Sequence, residues 1–126
     1  MARGIQYFTV SGTEEIDLST GPVVTTELID VYGREGFSIE PIEAEGLDGV
    51  PTWTLKSSNA KSLNGLKDHD PNFIKDKGLE VGVKTSDRAK VNYFAIEVTN
   101  NGNTSGTVKF ALVLGDTNTI TRDGSI

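Results

Sequence analysis

The sequence predicts an all-β protein, an antiparallel sandwich or barrel of about eight short strands. Three observations carry that expectation. Apolar, aromatic and β-branched residues recur in short runs with period two. Clusters of Gly, Pro, Asn, Asp and Ser interrupt those runs at roughly eight- to twelve-residue intervals. No stretch shows a convincing helical period.

The elements follow in chain order. Ile5 to Val10 is apolar, aromatic and β-branched, and Ser11-Gly12 ends it. Glu15 to Ser19 alternates, with Ile16 and Leu18 on one face. Gly21-Pro22 is a turn signal. Val23 to Val31 is rich in Val, Thr and Ile, and the adjacent pair Leu28-Ile29 calls for a bulge or a bend. Gly33 and Gly36 bracket the next turn. Phe37, Ile39 and Ile42 carry another strand, in which Pro41 argues for a sheet edge or a strand end. Gly46 to Gly49 is a turn, and Thr52 to Lys56 follows with Trp53 and Leu55 at period two.

Residues 57–77 change texture. They are polar, with Leu63, Leu66, Phe73 and Ile74 as the apolar anchors. A long surface loop with one short helical turn is expected, and loops of that length are often functional. Strand texture returns at Leu79, Val81 and Val83. The run Val91 to Val98 is apolar on both faces, which predicts a central strand. Thr99 to Gly106 is a dense turn, in which Asn101-Gly102 is a hairpin signal. Thr107 to Leu114 is the last strand, with Val108, Phe110, Leu112 and Leu114 on one face. Residues 1–115 therefore read as a single sandwich domain and residues 116–126 as a polar tail.

Composition narrows the chemistry. The 126 residues contain no Cys and a single His, which excludes disulfides, thiolate chemistry and multi-histidine metal sites. The net charge of -6 argues against a broad phosphate-binding surface, so no nucleic-acid partner is expected. No apolar run approaches the roughly 18 residues of a membrane span. The start, MARGIQYFTV, lacks the apolar region of a secretory signal, so synthesis in the cytosol and no membrane partner are expected. The charge is uneven. Residues 1–50 hold two basic and ten acidic groups, and residues 51–126 hold ten basic and eight acidic ones. That is either a solvated surface of uneven sign or the basis of a head-to-tail contact between copies.

Candidate sites are sparse. Asp68, Asp70 and Asn72 mimic the opening of a calcium loop, but Phe73 and Leu79 stand where an EF-hand needs Gly and Glu. An Asp70-Pro71 turn explains the segment without a metal. His69 would have to serve any Ser-His-Asp triad, yet no nucleophile elbow is present and its acidic neighbours are adjacent in sequence. No carboxylate pair has a diagnostic glycosidase spacing. Trp53, Tyr7, Tyr32 and Tyr93 could stack on sugars, although the period-two pairing of Trp53 with Leu55 favours the core. The Gly102 to Gly106 segment has no phosphate-loop lysine. Neither a catalytic residue nor a cofactor or metal site is assigned.

The stretch VNYFAIEVTNNGNTSGTVKFALVLG resembles the paired closing strands of small jelly-roll proteins of tailed-phage virions. TWTLKSSNAKSL would be an earlier strand of the same sandwich, so the resemblance covers roughly residues 51–115. Tyr93, Phe94, Ile96, Val98, Gly102, Gly106, Thr107, Val108, Phe110 and Leu112 carry it. It implies a jelly-roll-like sandwich and a capsid decoration, or cement, protein located in the virion. Such proteins are often homotrimers that bind the major capsid protein or other virion proteins and bridge capsomers. The alternative is a carbohydrate- or receptor-binding β-sandwich module. For contact residues, the expected first strand offers Ile5, Tyr7 and Phe8 to a partner's sheet edge. The loop offers Leu66, His69, Pro71 and Phe73 on a tip.

Overall fold

The computed structural model describes residues 12–31, 33–70 and 74–115. Among the described residues ten strands are formed: β1 (Gly12–Asp17), β2 (Val23–Thr25), β3 (Ile29–Asp30), β4 (Gly36–Glu45), β5 (Thr52–Ser58), β6 (Lys67–Asp68), β7 (Lys77–Gly78), β8 (Thr85–Arg88), β9 (Tyr93–Thr99) and β10 (Thr107–Gly115). Leu18–Thr20 and Leu63–Gly65 are single 3-10 turns. All pairing is antiparallel.

One sheet has the order β1-β10-β4-β8; the other has the order β2-β9-β5-β6, with β3 also on β9 and β7 also on β5. The pair β2 and β3 acts as one bent strand, as Leu28-Ile29 suggested. β6 and β7 act likewise as one interrupted strand along β5. Counted so, among the described residues β1 lies beside β10, and each sheet interleaves early strands with late ones. This is jelly-roll connectivity in an all-β sandwich.

The inner faces meet in one core. Ile16, Phe37, Ile39, Val108, Phe110, Leu112 and Leu114 come from the first sheet, and Ile29, Trp53, Leu55, Phe94, Ile96 and Val98 from the second. Two edge-to-face aromatic contacts cross the gap, Trp53 on Phe110 at 5.1 Å and Phe37 on Phe94 at 5.0 Å between ring centres. Trp53 is 1% exposed, so it is a core residue and offers no sugar-stacking platform.

Several expectations need correction. β9 and β10 do not form a hairpin. Each is central in a different sheet, β9 between β2/β3 and β5, β10 between β1 and β4. Neither has a free edge for the other, so residues 100–106 form a corner that crosses the sandwich. The Asn-Gly pair does make a tight turn there, with φ of 50° at Asn101 and 89° at Gly102. Residues 79–84 are not a strand. Leu79 is buried at 8% exposure, but Val81 and Val83 are 53% and 40% exposed around a turn at Gly82. The strand of this region is the polar β8, whose alternation was invisible to an apolar pattern. Gly12 lies within β1, and the expected strand Ile5 to Val10 lies outside the described residues.

Pro41 sits inside β4, not at its end. The β8 ladder covers only Gly36 to Ile39, so the missing N–H falls where that ladder has already stopped. Gly82 N–H donates to the Pro41 carbonyl there (2.8 Å). On the other side, Lys109 faces Glu43 and Phe110 faces Pro41, which leaves Ile42 as the extra residue of a bulge.

Candidate functional site

The segment after β5 folds back on the sandwich. Ser62 accepts from Asn64 N–H and caps the 3-10 turn, β6 pairs with β5 at Lys56 and Ser57, and His69 N–H donates to Leu55 O (2.9 Å). Asp68 on β6 binds Lys56 at 2.8 Å and Lys75 at 3.0 Å. The hydrogen bonds from those lysines hold the Asp68 carboxyl below its ordinary value of 3.8. The same bond to Asp68 raises Lys56 above 10.5.

His69 is turned inward, not displayed on a tip. Its half-buried ring stands edge-on to Phe37 (5.6 Å) and Phe94 (5.0 Å). Nδ1 lies 3.1 Å from Ser57 Oγ and Nε2 lies 3.0 Å from the Arg88 carbonyl. A carbonyl can only accept, so Nε2 carries hydrogen; in the neutral ring Nδ1 then accepts from the Ser57 hydroxyl. The ring thus joins the second sheet to β8, the edge strand of the first. Both ring nitrogens are occupied within the fold. The sequence reading missed Ser57 as the serine beside the histidine, because the two meet only through β5–β6 pairing. The far nitrogen meets a main-chain carbonyl instead of a carboxylate, so the arrangement differs from a triad.

Leu66 is half-buried directly after the 3-10 turn, and its N–H approaches Leu63 O at 3.4 Å. Ile5, Tyr7, Phe8, Pro71 and Phe73 lie outside the described residues. Among the described residues, no group of His, Asp and Glu is arranged to hold a metal ion. No helix among them is long and apolar enough to cross a membrane.

Two surfaces stand out by charge. The alternation of β1, β10 and β4 puts Glu15, Asp17, Glu40, Glu43 and Glu45 on the outer face of the first sheet. Lys109 is the one Lys or Arg in these three strands, centred in the row Glu15–Lys109–Glu43 and 3.6 Å from Glu43. Asp17 also caps the following 3-10 turn, and its bonds from the Ser19 hydroxyl and N–H lower its carboxyl from 3.8.

The other surface is an open cavity of about 560 Å³ at one end of the sandwich. The β3–β4 link contributes Gly33, Arg34 and Glu35, the end of β5 contributes Asn59, and the β8–β9 link contributes Arg88, Lys90, Val91 and Asn92. Main-chain bonds tie these links together: Val31 N–H to Asn92 O (2.9 Å) and Ala89 N–H to Glu35 O (2.7 Å). Asn92 Nδ2 donates to Asn59 O at 3.0 Å and joins the remaining wall. The sequence hid this mouth because its cations come from separate turns. Smaller cavities lie beside β8, lined by Lys77, Lys84 and Asp87, and at the opposite end beside Asn100 and Asn103.

No protein-family model, curated protein or solved structure matches this chain.

Proposed function

We propose that this chain is a structural component of a virion, a capsid decoration protein that binds the assembled shell and stabilises it by bridging capsomers. The observation that carries this reading is jelly-roll connectivity over a filled interior. Jelly rolls serve as capsid, lectin and cupin domains. A cupin works inside its barrel, whereas here Trp53, Phe37, Phe94 and Phe110 fill the space between the sheets. Binding must then be done by the outer surface, as in a shell component. The residues that carry the resemblance to phage virion proteins form β9, the corner and β10, which lie at the centre of different sheets and not paired with each other as the resemblance implied. The mechanism is mass action: a ligand that binds only the assembled lattice stabilises it. Copies joined as a homotrimer, on the major capsid protein or another virion protein, would add their contacts multivalently.

A density-gradient separation of the source lysate, with peptide mass spectrometry of each band, tests the reading. The expected result is this chain banding with megadalton particles at lattice-like copy number. A few copies per particle would move it to a tail or vertex. Recovery only among soluble proteins would overturn the virion assignment. A carbohydrate- or receptor-binding module is the second reading, and the mouth lined by Arg88, Lys90 and asparagines favours it.

A further inference from the structure

We propose that the mouth between the β3–β4 and β8–β9 links is a binding site for a small oxyanion, carried as the carboxylate of an acidic sugar or as a phosphate group. This stands apart from the virion reading and does not depend on it.

The size is right. A cavity of about 560 Å³ falls within the usual range for small-ligand sites, roughly 300–1,000 Å³. Its sign opposes that of the molecule. Among the described residues, Arg34, Arg88 and Lys90 line it together with one carboxylate, Glu35, although the chain as a whole carries -6. Concentrating cations in one concavity of an acidic protein focuses a local positive potential toward an incoming anion.

The side chains suit the task. Arg88 and Lys90 are exposed, and neither makes an ion pair with a described residue. Arg88 offers a planar fork that matches an oxyanion, and Lys90 offers a compact charge. The amides of Asn59 and Asn92 border the same space and can meet hydroxyl groups, with Val91 as the apolar contact. The walls are pre-organised. His69 holds the Arg88 carbonyl, Asp87 Oδ1 accepts from Arg88 N–H (2.7 Å), and Lys90 takes a left-handed φ of 50°. These constraints fix the backbone beneath both cations before any ligand arrives, which lowers the ordering cost of binding.

The test is an amide-resolved NMR titration of the full chain at constant ionic strength. Sodium glucuronate, inorganic phosphate and neutral glucose are the probes. The expected result is saturable shifts at Gly33, Glu35, Lys90 and Asn92 with an anion and none with glucose. In the variant Arg88→Gln/Lys90→Gln the affinity should fall at least about tenfold, the loss expected on removing charge-assisted bonds. The variant's own spectrum reports whether it is folded. Stronger binding of glucuronate assigns a sugar acid, and stronger binding of phosphate assigns a phosphate group. Either supports the site. Absence of saturable shifts, equal shifts with glucose, or shifts that survive in the folded double variant would overturn it. So would self-association that Arg88→Gln/Lys90→Gln abolishes, because the occupant would then be the acidic face of another copy.

Discussion

His69 joins the two sheets through polar contacts that no apolar substitute can reproduce. Removing the ring leaves Ser57 Oγ, at 9% exposure, and the Arg88 carbonyl without their partner, and opens space between Phe37 and Phe94. His69→Ala should cost about 2–4 kcal/mol. His69→Phe keeps a ring between the phenylalanines and should cost less. Urea unfolding followed by the fluorescence of buried Trp53 measures both, and equal losses would show that packing contributes nothing. Asp68 sets an acid limit. Its folded-state pKa is lowered by Lys56 and Lys75, so its stabilising contribution is full above the ordinary carboxylate value and is lost as pH falls through the lowered one. The stability of the native chain should drop between about pH 5 and pH 2, and Asp68→Asn should flatten that limb. Lys56 works in the opposite sense. Its pKa is raised, so its contribution is present below 10.5 and disappears as pH rises through the raised value.

At the level of elements, the corner between β9 and β10 depends on backbone conformation as much as on packing. Asn103, 1% exposed, accepts from Asp48 N–H (2.6 Å) and Gly49 N–H (3.0 Å), and donates to Asn100 O and Gly49 O. It thereby pins the β4–β5 loop to the corner. Gly106 closes the corner at φ 110°, where a Cβ would lie 2.7 Å from Leu47 Cδ2 and 2.8 Å from Glu45 O. Gly106→Ala should destabilise by at least about 2 kcal/mol, while Gly102→Ala, with a left-handed φ but open space, should cost only about 1 kcal/mol. Equal urea midpoints for the two variants would refute the steric part of that comparison. The same corner shows what sequence can and cannot disclose. Period two found the long strands β4, β5, β9 and β10, because one face of each is buried and leaves an apolar record. It also placed Trp53 in the core. Asn-Gly revealed the turn but not the partner, since turn chemistry is local whereas the choice between a hairpin and a crossing is set by which edges are already occupied. β8 escaped notice because Thr85 to Arg88 is held by backbone pairing at an edge with little apolar burial. The mouth escaped for a similar reason: Arg34, Asn59, Arg88 and Asn92 come together only when three separate links meet.

Across the whole molecule, charge is sorted by surface, and this leads to a test of how the fold tolerates its own acidity. The outer faces of β1, β10 and β4 carry Glu15, Asp17, Glu40, Glu43 and Glu45 around Lys109. Neighbouring strands stand about 4.8 Å apart. Like charges on them therefore interact within the Debye length, about 10 Å at 0.1 M salt. Lys109 offsets that repulsion from both sides, since Glu15 and Glu43 face it in register. An isolated exposed pair is worth little, but this lysine counters a whole face. Lys109→Gln should lower stability by about 0.5–1 kcal/mol at low ionic strength. Added salt screens the carboxylates from one another, so the deficit should shrink as sodium chloride rises to about 0.5 M. Urea midpoints of the two proteins across that range read the effect directly. A deficit independent of salt would mean that Lys109 acts through the packing of its aliphatic stem, and the acidic face would then impose no electrostatic strain on the sandwich.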